Sequence, residues 1–249
     1  MSLPRFHLAP MDRTPGSPLI LDGAEGRHAT RVLRLVPGDR AVLFDGAGAA
    51  VLAEVIGVRG ERLELRVLEP HTSGAELPIA ITIAPAVLKG DAMDTLIRDA
   101  TMLGAAAIAP IVTARTVVPA RASMAPTVVE RWQRVALASA KQCGRSVLPS
   151  VAAARPLDAA LRDTAWADAT RIVLCEPEAA PGAAAADLPA VRGRVVILSG
   201  PEGGWTREEV AAATGLGWHP WTCSPLTLRA ETAPIVALGI LGWMSATPR

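Results

Sequence analysis

Two short segments carry the residue types that could do chemistry. The first is Ser199-Gly200-Pro201-Glu202-Gly203-Gly204-Trp205. It follows the apolar run Arg194-Val195-Val196-Ile197-Leu198, which reads as a buried strand. It leads into Thr206-Arg207-Glu208-Glu209, a capping-box pattern that opens a helix. Glycine lets a ligand come close to the backbone and permits positive φ. The amides at a helix start are unpaired donors. Open α/β sheets bind cofactors at such strand-to-helix loops, and an ordinary tight turn is the other use of the same residues. The second segment is Ser224-Pro225-Leu226-Thr227-Leu228-Arg229-Ala230-Glu231-Thr232-Ala233-Pro234, which opens an apolar helix from Ile235 to Met244.

Taken together, GPEGG (200–204) and LRAETA (228–233) resemble one family, the bacterial 16S ribosomal RNA (uracil-N3)-methyltransferases of the SPOUT superfamily. The chain departs from that family's motif from Cys223 onward. Ser224 stands for a glycine, Leu226 for the first arginine and Thr227 for an aliphatic residue, whereas Arg229, Glu231, Thr232 and Ala233 match. The resemblance extends to Arg5-Phe6, His28, Val32-Leu33-Arg34, Gly38-Asp39 and Asp45 to Gly48. It also takes in Lys89, Asp99 to Pro110, Gln142 to Arg145 and Pro149. It implies an α/β fold: a knotted, SPOUT-type parallel-sheet methyltransferase domain (73–249) preceded by a small PUA-like RNA-binding β-barrel (1–72). It further implies S-adenosylmethionine as cofactor, 16S ribosomal RNA or the small ribosomal subunit as partner, and a homodimer.

By the same resemblance the cofactor sits among three late loops: Leu174-Cys175-Glu176, Ser199 through Gly204, and Cys223 through Arg229. Leu198, Leu226 and Leu228 are expected to supply an apolar slot for adenine. Pro201 and Pro225 stiffen their loops. Glu202 has two roles open to it, a carboxylate near the sulfonium or an acceptor for loop amides. A β-branched side chain at Gly203 is expected to block the loop's approach to the cofactor. Methylation at N3 of uracil requires loss of the N3 proton, and a cation could stabilise the charge left on the base. Arg229 is the first choice for that role, with Glu231 and Thr232 orienting it or capping the last helix. Two other readings keep the fold: an RNA-binding protein without turnover, and a methyltransferase with another RNA target or a ribose oxygen as acceptor.

The basic residues give two candidate RNA surfaces. Between Pro110 and Arg155 stand seven basic residues, among them Arg131, Arg134 and Arg145, against the single acid Glu130. Arg131 and Arg134 share a helix face. Arg27, Arg31 and Arg34 follow i, i+4, i+7 spacing beside His28, and Arg5 belongs to the same first domain. Such runs hold phosphates or are merely solvated helix faces.

The elements that position these residues fall into two styles. Residues 1 to about 70 alternate like a small barrel, with strands at Arg40–Phe44, Val51–Val55 and Leu63–Val67. Gly57 to Gly60 reads as a hairpin loop, and Glu25 to Leu35 as one helix. A polar linker, Glu69 to Pro78, separates this part from a second one. There apolar strands at Ile79–Ala84, Ala107–Val112, Arg171–Cys175 and Val195–Leu198 alternate with helices at Met93–Leu103, Thr127–Cys143 and Glu208–Thr214. Alternation of this kind predicts a mostly parallel sheet with helices on both faces. Pro177 to Pro189 reads as a surface excursion.

Composition excludes several classes. The 249 residues carry a net charge of +1, so no global attraction to nucleic acid operates. Cys143, Cys175 and Cys223 are isolated, without metal-ligand spacing. They fit a reduced cytoplasmic setting with no bound metal. No signal peptide is expected at the N-terminus, and the apolar run 234–246 is shorter than a membrane span. No P-loop, nucleophile elbow or HExxH occurs, and the first strand-to-helix turn of the second domain, Ala84 to Gly90, lacks a dinucleotide fingerprint.

Overall fold

The computed structural model describes residues 3–177, 188 and 191–246. Most of the excursion expected at Pro177 to Pro189 lies outside the described residues. The chain divides into two compact units, one of residues 1–76 with 137–148 and the other of 77–136 with 149–249.

The first unit contains β1 (Arg5–His7), β2 (Pro18–Leu21), α1 (Gly23–Arg27), β3 (Arg40–Phe44), β4 (Ala50–Arg59) and β5 (Arg62–Pro70). The sheet runs β1-β3-β4-β5-β2, with β1 parallel to β3 and the other pairs antiparallel. Its ladder is open-ended among the described residues, where the periodicity predicts a barrel. Val51, Ala53 and Val55 of β4 and Leu63, Leu65 and Val67 of β5 all point into one core with Phe6 and Leu43. The period of two puts every second side chain on that face. The hairpin turns at Gly60-Glu61 rather than over Gly57 to Gly60. Gly60 supplies the left-handed φ of 63° at that tip. A register shift between Val55 and Gly57 absorbs the irregularity that the sequence presents as a loop.

The expected helix from Glu25 to Leu35 is broken. After α1 the chain widens into a π-helical turn, His28–Val32, with Leu33 N donating to His28 O at 3.0 Å. Arg34 then enters the left-handed region at φ 53°. A π-turn shifts the phase of every residue after it, so Arg34 leaves the face shared by Arg27 and Arg31.

The first unit also takes in residues 137–148, which the linker-based boundary at 72/73 gives to the second domain. Leu137 and Leu148 pack on Val42, Phe44 and Ala50, and Lys141 Nζ pairs with Glu25 at 2.9 Å. Arg145 is buried with its guanidinium on the Glu76 carboxylate, Nε to Oε1 at 3.0 Å. Removing one partner of a buried pair leaves the other charge stranded. Because Glu76 keeps about a third of its surface, Arg145→Ala is expected to cost roughly 2–3 kcal/mol rather than the full buried-pair penalty. Chemical denaturation would record this loss; an unchanged midpoint would mean that the pair does not hold the first unit together.

The second unit begins with β6 (Ala80–Pro85), α2 (Ala92–Met102), β7 (Ala107–Ile108), β8 (Ile111–Val112) and α3 (Ala120–Ser123). It continues through α4 (Pro126–Cys143), whose last residues count with the first unit, then β9 (Ser150–Val151), β10 (Arg155–Pro156), α5 (Leu157–Leu161) and β11 (Thr170–Leu174). It closes with β12 (Arg194–Ser199), α6 (Arg207–Gly215), β13 (His219–Trp221) and α7 (Thr232–Ala246). Six strands form one all-parallel sheet in the order β13-β11-β12-β6-β7-β9, and β8 pairs with β10 separately. The apolar run 107–112 is thus two strands, because Pro110 cannot donate to a ladder.

Alternation along the central strands sorts the core. Ile81, Ile83, Val195 and Ile197 face a cluster with Leu96 and Ile97 of α2, Trp132 of α4, and Leu238 and Leu241 of α7. Val196, Leu198 and Val173 face the opposite cluster with Leu161 of α5, Ala213 of α6, Trp166 and Trp218. Helices therefore cover both faces, as a parallel sheet requires. Helix α2 ends at Gly104, φ 95°, where Ala105 N closes back on Ala100 O at 2.9 Å. No described helix is long and apolar enough to cross a membrane.

Candidate active site

Four parallel strands, β6, β11, β12 and β13, send their C-terminal ends into one cavity of about 440 Å³. That edge of an open parallel sheet is the ordinary place for a ligand. Each strand contributes the residues that immediately follow it, so the site is assembled from loops held by the rigid sheet.

Leu174 closes β11 and Cys175 and Glu176 follow it, all on the cavity wall. Cys175 N donates to Trp221 O at 2.9 Å, and Thr222 Oγ1 donates to Cys175 O at 3.2 Å, which ties this loop to the one after β13. Burial pushes the Cys175 thiol up to about 11, with the neighbouring Glu176 carboxylate adding to the effect. Burial also raises Cys223. Both thiols stay protonated near neutrality, so neither is a nucleophile at rest. A thiol reagent applied to the native protein near neutral pH is expected to label exposed Cys143 first, as read by intact mass. Equal labelling of all three would mean that the wall thiols are ionised or open.

From the end of β12 the wall takes Ser199, the strand's last residue, then Gly200, Pro201, Glu202 and Gly204. Gly204 N donates to Pro201 O at 2.9 Å, closing a turn, and Gly204 itself has φ 68°. A Cβ at Gly204 would stand 3.4 Å from Glu176 Oε1, and one at Gly200 would stand 3.2 Å from the Trp205 ring. Trp205 is locked by Nε1 donating to Leu174 O at 2.7 Å. Helix α6 starts with the expected capping box: Thr206 Oγ1 accepts from Glu209 N and Glu209 Oε2 accepts from Thr206 N. Glu202 Oε1 accepts from Lys89 N at 3.1 Å, so one of its oxygens is occupied by a backbone amide.

Gly203 corrects the sequence expectation. It is absent from the cavity wall and its φ is not positive; the left-handed residue is Gly204. Gly203 instead meets Arg115, whose Nη1 donates to Gly203 O at 2.8 Å and Trp205 O at 3.2 Å. Leu198 is also corrected: it is fully buried in the sheet core, since alternation turns it away from the cavity.

After β13 the wall takes Cys223, Ser224, Leu226, Leu228, Arg229 and Glu231. Pro225 is not on it. Ser224 Oγ accepts from Leu226 N at 3.1 Å, a local turn that leaves Leu226 largely exposed. Arg229 O accepts from Thr232 N at 2.9 Å and from Ala233 N at 3.0 Å, so its carbonyl anchors the start of α7. The Arg229 side chain is 86% exposed and its Nη1 lies 3.9 Å from Glu231 Oε1. Lys89, Trp205 and Thr222 are wall residues that sequence reasoning did not assign. Trp205 had a usable signal, an aromatic closing the glycine-rich loop in a chain with only 3% aromatics.

The basic residues expected on RNA are distributed differently. Arg131 Nε donates to Asp94 Oδ2 at 3.0 Å, and Arg155 pairs with Asp163 at 2.6 Å. With Lys141 on Glu25 and Arg145 on Glu76, most of the basic run is neutralised by acids from distant positions. Arg5 is held inside the first unit, Nη2 donating to Arg145 O at 3.1 Å and Ser146 Oγ at 2.9 Å, with its guanidinium over Phe44. Arg27 and Arg31 both reach Glu61, at 3.7 and 2.5 Å. His28 packs edge-on to Phe6. Arg134 Nε donates to Glu130 O of its own helix at 3.3 Å and its side chain stays exposed, and Arg34 is exposed as well. Among the described residues no cluster of His, Cys, Asp or Glu could hold a metal ion.

Comparison with known proteins places this geometry. Residues 75–242 match an RNA methyltransferase domain model, and residues 21–68 match an RNA methyltransferase PUA domain model. A curated Synechocystis protein, ribosomal RNA small subunit methyltransferase E, is 34% identical over 88% of this chain and 70% of its own length. The Bacillus subtilis protein of the same name is 30% identical over 90% of both chains. A crystal structure of a ribosomal RNA small subunit methyltransferase E from Neisseria gonorrhoeae, bound to S-adenosyl methionine, superposes with a TM-score of 0.88 at 30% identity, covering 98% of each chain. The cavity, its glycine-rich loop and the α/β sheet beneath them are those of an RNA methyltransferase, and the chain belongs to that family.

Proposed function

We propose that the chain transfers a methyl group from S-adenosylmethionine to N3 of a uracil in 16S ribosomal RNA of the small subunit. The observation that carries this reading is the cavity itself, three loops of the expected residues at adjacent strand ends. Its residues fit the cofactor. Ser199 Oγ is buried on the wall with no hydrogen-bond partner among the described residues, a polar atom suited to a ligand. Gly200 and Gly204 leave space that a Cβ would narrow. Glu176 and Glu202 supply carboxylates for a cationic ligand, and Lys89 supplies a cation for its carboxylate. When bound, S-adenosylmethionine supplies an activated methyl group with a neutral leaving group. Leu174, Cys175, Cys223 and Leu228 form the less polar part of the wall and shield the site from water.

In this reading the first unit is the PUA-like RNA-binding domain; Arg34 and Arg134 are exposed cations for phosphates, while Arg27 and Arg31 share Glu61. The C-terminal segment threads a loop as the trefoil knot of the SPOUT fold. The protein acts in the cytoplasm as a homodimer and without a metal. Exposed Trp243 on α7, with Met102 and Leu103 at the end of α2, offers apolar surface for a second copy. Sedimentation at micromolar concentration should give twice the 25.9 kDa chain mass; a monomer throughout would remove the dimer.

Calorimetric titration with S-adenosylmethionine tests the function. Binding followed by methyl transfer to unmodified small subunits supports it. No binding overturns the methyltransferase and favours an RNA-binding protein without turnover, and binding without transfer to small subunits favours another RNA target.

A further inference from the structure

We propose that Glu231 is the general base that takes the N3 proton, and that with Arg229 it reads the imide edge of the base. This inference rests on the methyltransferase reading above and names the residue that handles the proton. The imide of uracil presents a carbonyl acceptor beside an N–H donor. Its complement is a donor beside an acceptor, and cytosine, with an amino donor and a bare N3 acceptor, inverts the pattern. Arg229 is donor-only and an ionised Glu231 is acceptor-only.

Three carboxylates line the cavity, and their surroundings differ. Glu202 already accepts from Lys89 N at 3.1 Å. Glu176 stands over Gly204, at the back of the glycine-rich loop. Glu231 stands on the loop after β13, where the Arg229 side chain reaches into solvent. At 3.9 Å the two side chains are beyond hydrogen-bond distance, so neither uses up the other's bonding capacity. Glu231 keeps only 21% of its side-chain surface, so it has fewer rotamers to lose when a base docks.

The step balances. The N3–H bond breaks and its proton passes to a Glu231 carboxylate oxygen. The electron pair left on N3 forms the bond to the methyl carbon as the carbon–sulfur bond breaks, leaving a neutral thioether. The proton leaves Glu231 to water when the products dissociate. Arg229 holds the negative charge that gathers on the base oxygen during this transfer.

The test is single-turnover methylation of unmodified small subunits by Glu231→Gln and Glu231→Asp across a pH series. Removal of a general base costs on the order of a hundredfold or more in rate near pH 7. In Glu231→Gln, solvent must take the proton, so the logarithm of the rate should climb with pH toward a slope of about one while the wild type changes little. Glu231→Asp should restore part of the rate and the flatter profile. Calorimetric affinity for S-adenosylmethionine and filter-binding affinity for the subunit should stay within about twofold in both variants. A retained rate in Glu231→Gln, or a lost rate with an unchanged pH profile, overturns the proposal, as does a parallel loss of cofactor affinity. If the wild type itself methylates no small-subunit RNA, the methyltransferase reading fails first, and that outcome is separate from these.

Discussion

Gly204→Val is expected to weaken binding of S-adenosylmethionine by about a hundredfold while leaving a folded protein. Gly204 sits at φ 68°, a conformation that a β-branched residue rarely adopts. Holding such a residue there costs on the order of 1–3 kcal/mol. The free loop escapes that strain by relaxing, and binding must then restore it. Affinity should therefore fall by roughly tenfold to a hundredfold from backbone strain alone, since each factor of ten is about 1.4 kcal/mol. The new side chain also crowds Glu176, whose carboxylate oxygen is 3.4 Å from the Cβ position, which deepens the loss. The effect on the melting temperature should be small, because the loop lies at the surface beyond the end of β12. Gly203→Val is the informative partner. Its Cβ would press Arg115 at 3.3 Å rather than enter the cavity, so it should weaken binding less. Calorimetry beside a melting curve reads both variants, and a Gly204→Val protein with wild-type affinity would detach this turn from the cofactor.

Arg229→Ala is expected to slow the chemical step by about a hundredfold, near 3 kcal/mol, with cofactor and RNA affinities little changed. Its carbonyl anchors α7 through Thr232 and Ala233, and alanine keeps that carbonyl. What the substitution removes is an exposed guanidinium on the cavity wall, paired only loosely with Glu231 at 3.9 Å. A side chain so exposed contributes little to folding, so a large effect on rate would be an effect on the reaction. Arg229→Lys should recover part of the rate, because a point charge replaces the charge without the planar fork. Single-turnover rates at saturating cofactor decide the matter. A mutant that binds S-adenosylmethionine poorly yet transfers methyl normally once saturated would make Arg229 a loop-shaping residue.

The residues that carry local instructions were legible in the sequence. Thr206 and Glu209 announce the start of α6 by a capping box, and both halves of it form. Alternation at Val51, Ala53 and Val55, and at Leu63, Leu65 and Val67, identified one core face of the first unit. The apolar runs before Ser199 and around Ile83 identified the parallel strands that deliver their following loops to the cavity. What stayed hidden depends on contacts between distant residues. The basic run from Arg115 to Arg155 looks like a patch along the chain, yet Asp94, Glu25, Glu76 and Asp163 cancel much of it in space. Nothing local marks the π-turn after Arg27 that takes Arg34 off its expected face. Which of two adjacent glycines takes the left-handed conformation is likewise set by the turn from Pro201 to Gly204, not by residue type. The edge strand His219–Trp221 is short and contains a proline, so it escaped notice, although it carries the third loop of the site.

The most direct test of the central claim is mass mapping of small-subunit ribosomal RNA from a strain lacking this protein, beside the same RNA after treatment with purified protein and S-adenosylmethionine. One uracil should lack a methyl group in the first sample and gain it at N3 in the second. An unchanged RNA in both, or a methyl group that returns on a ribose oxygen or another base, would contradict the assignment.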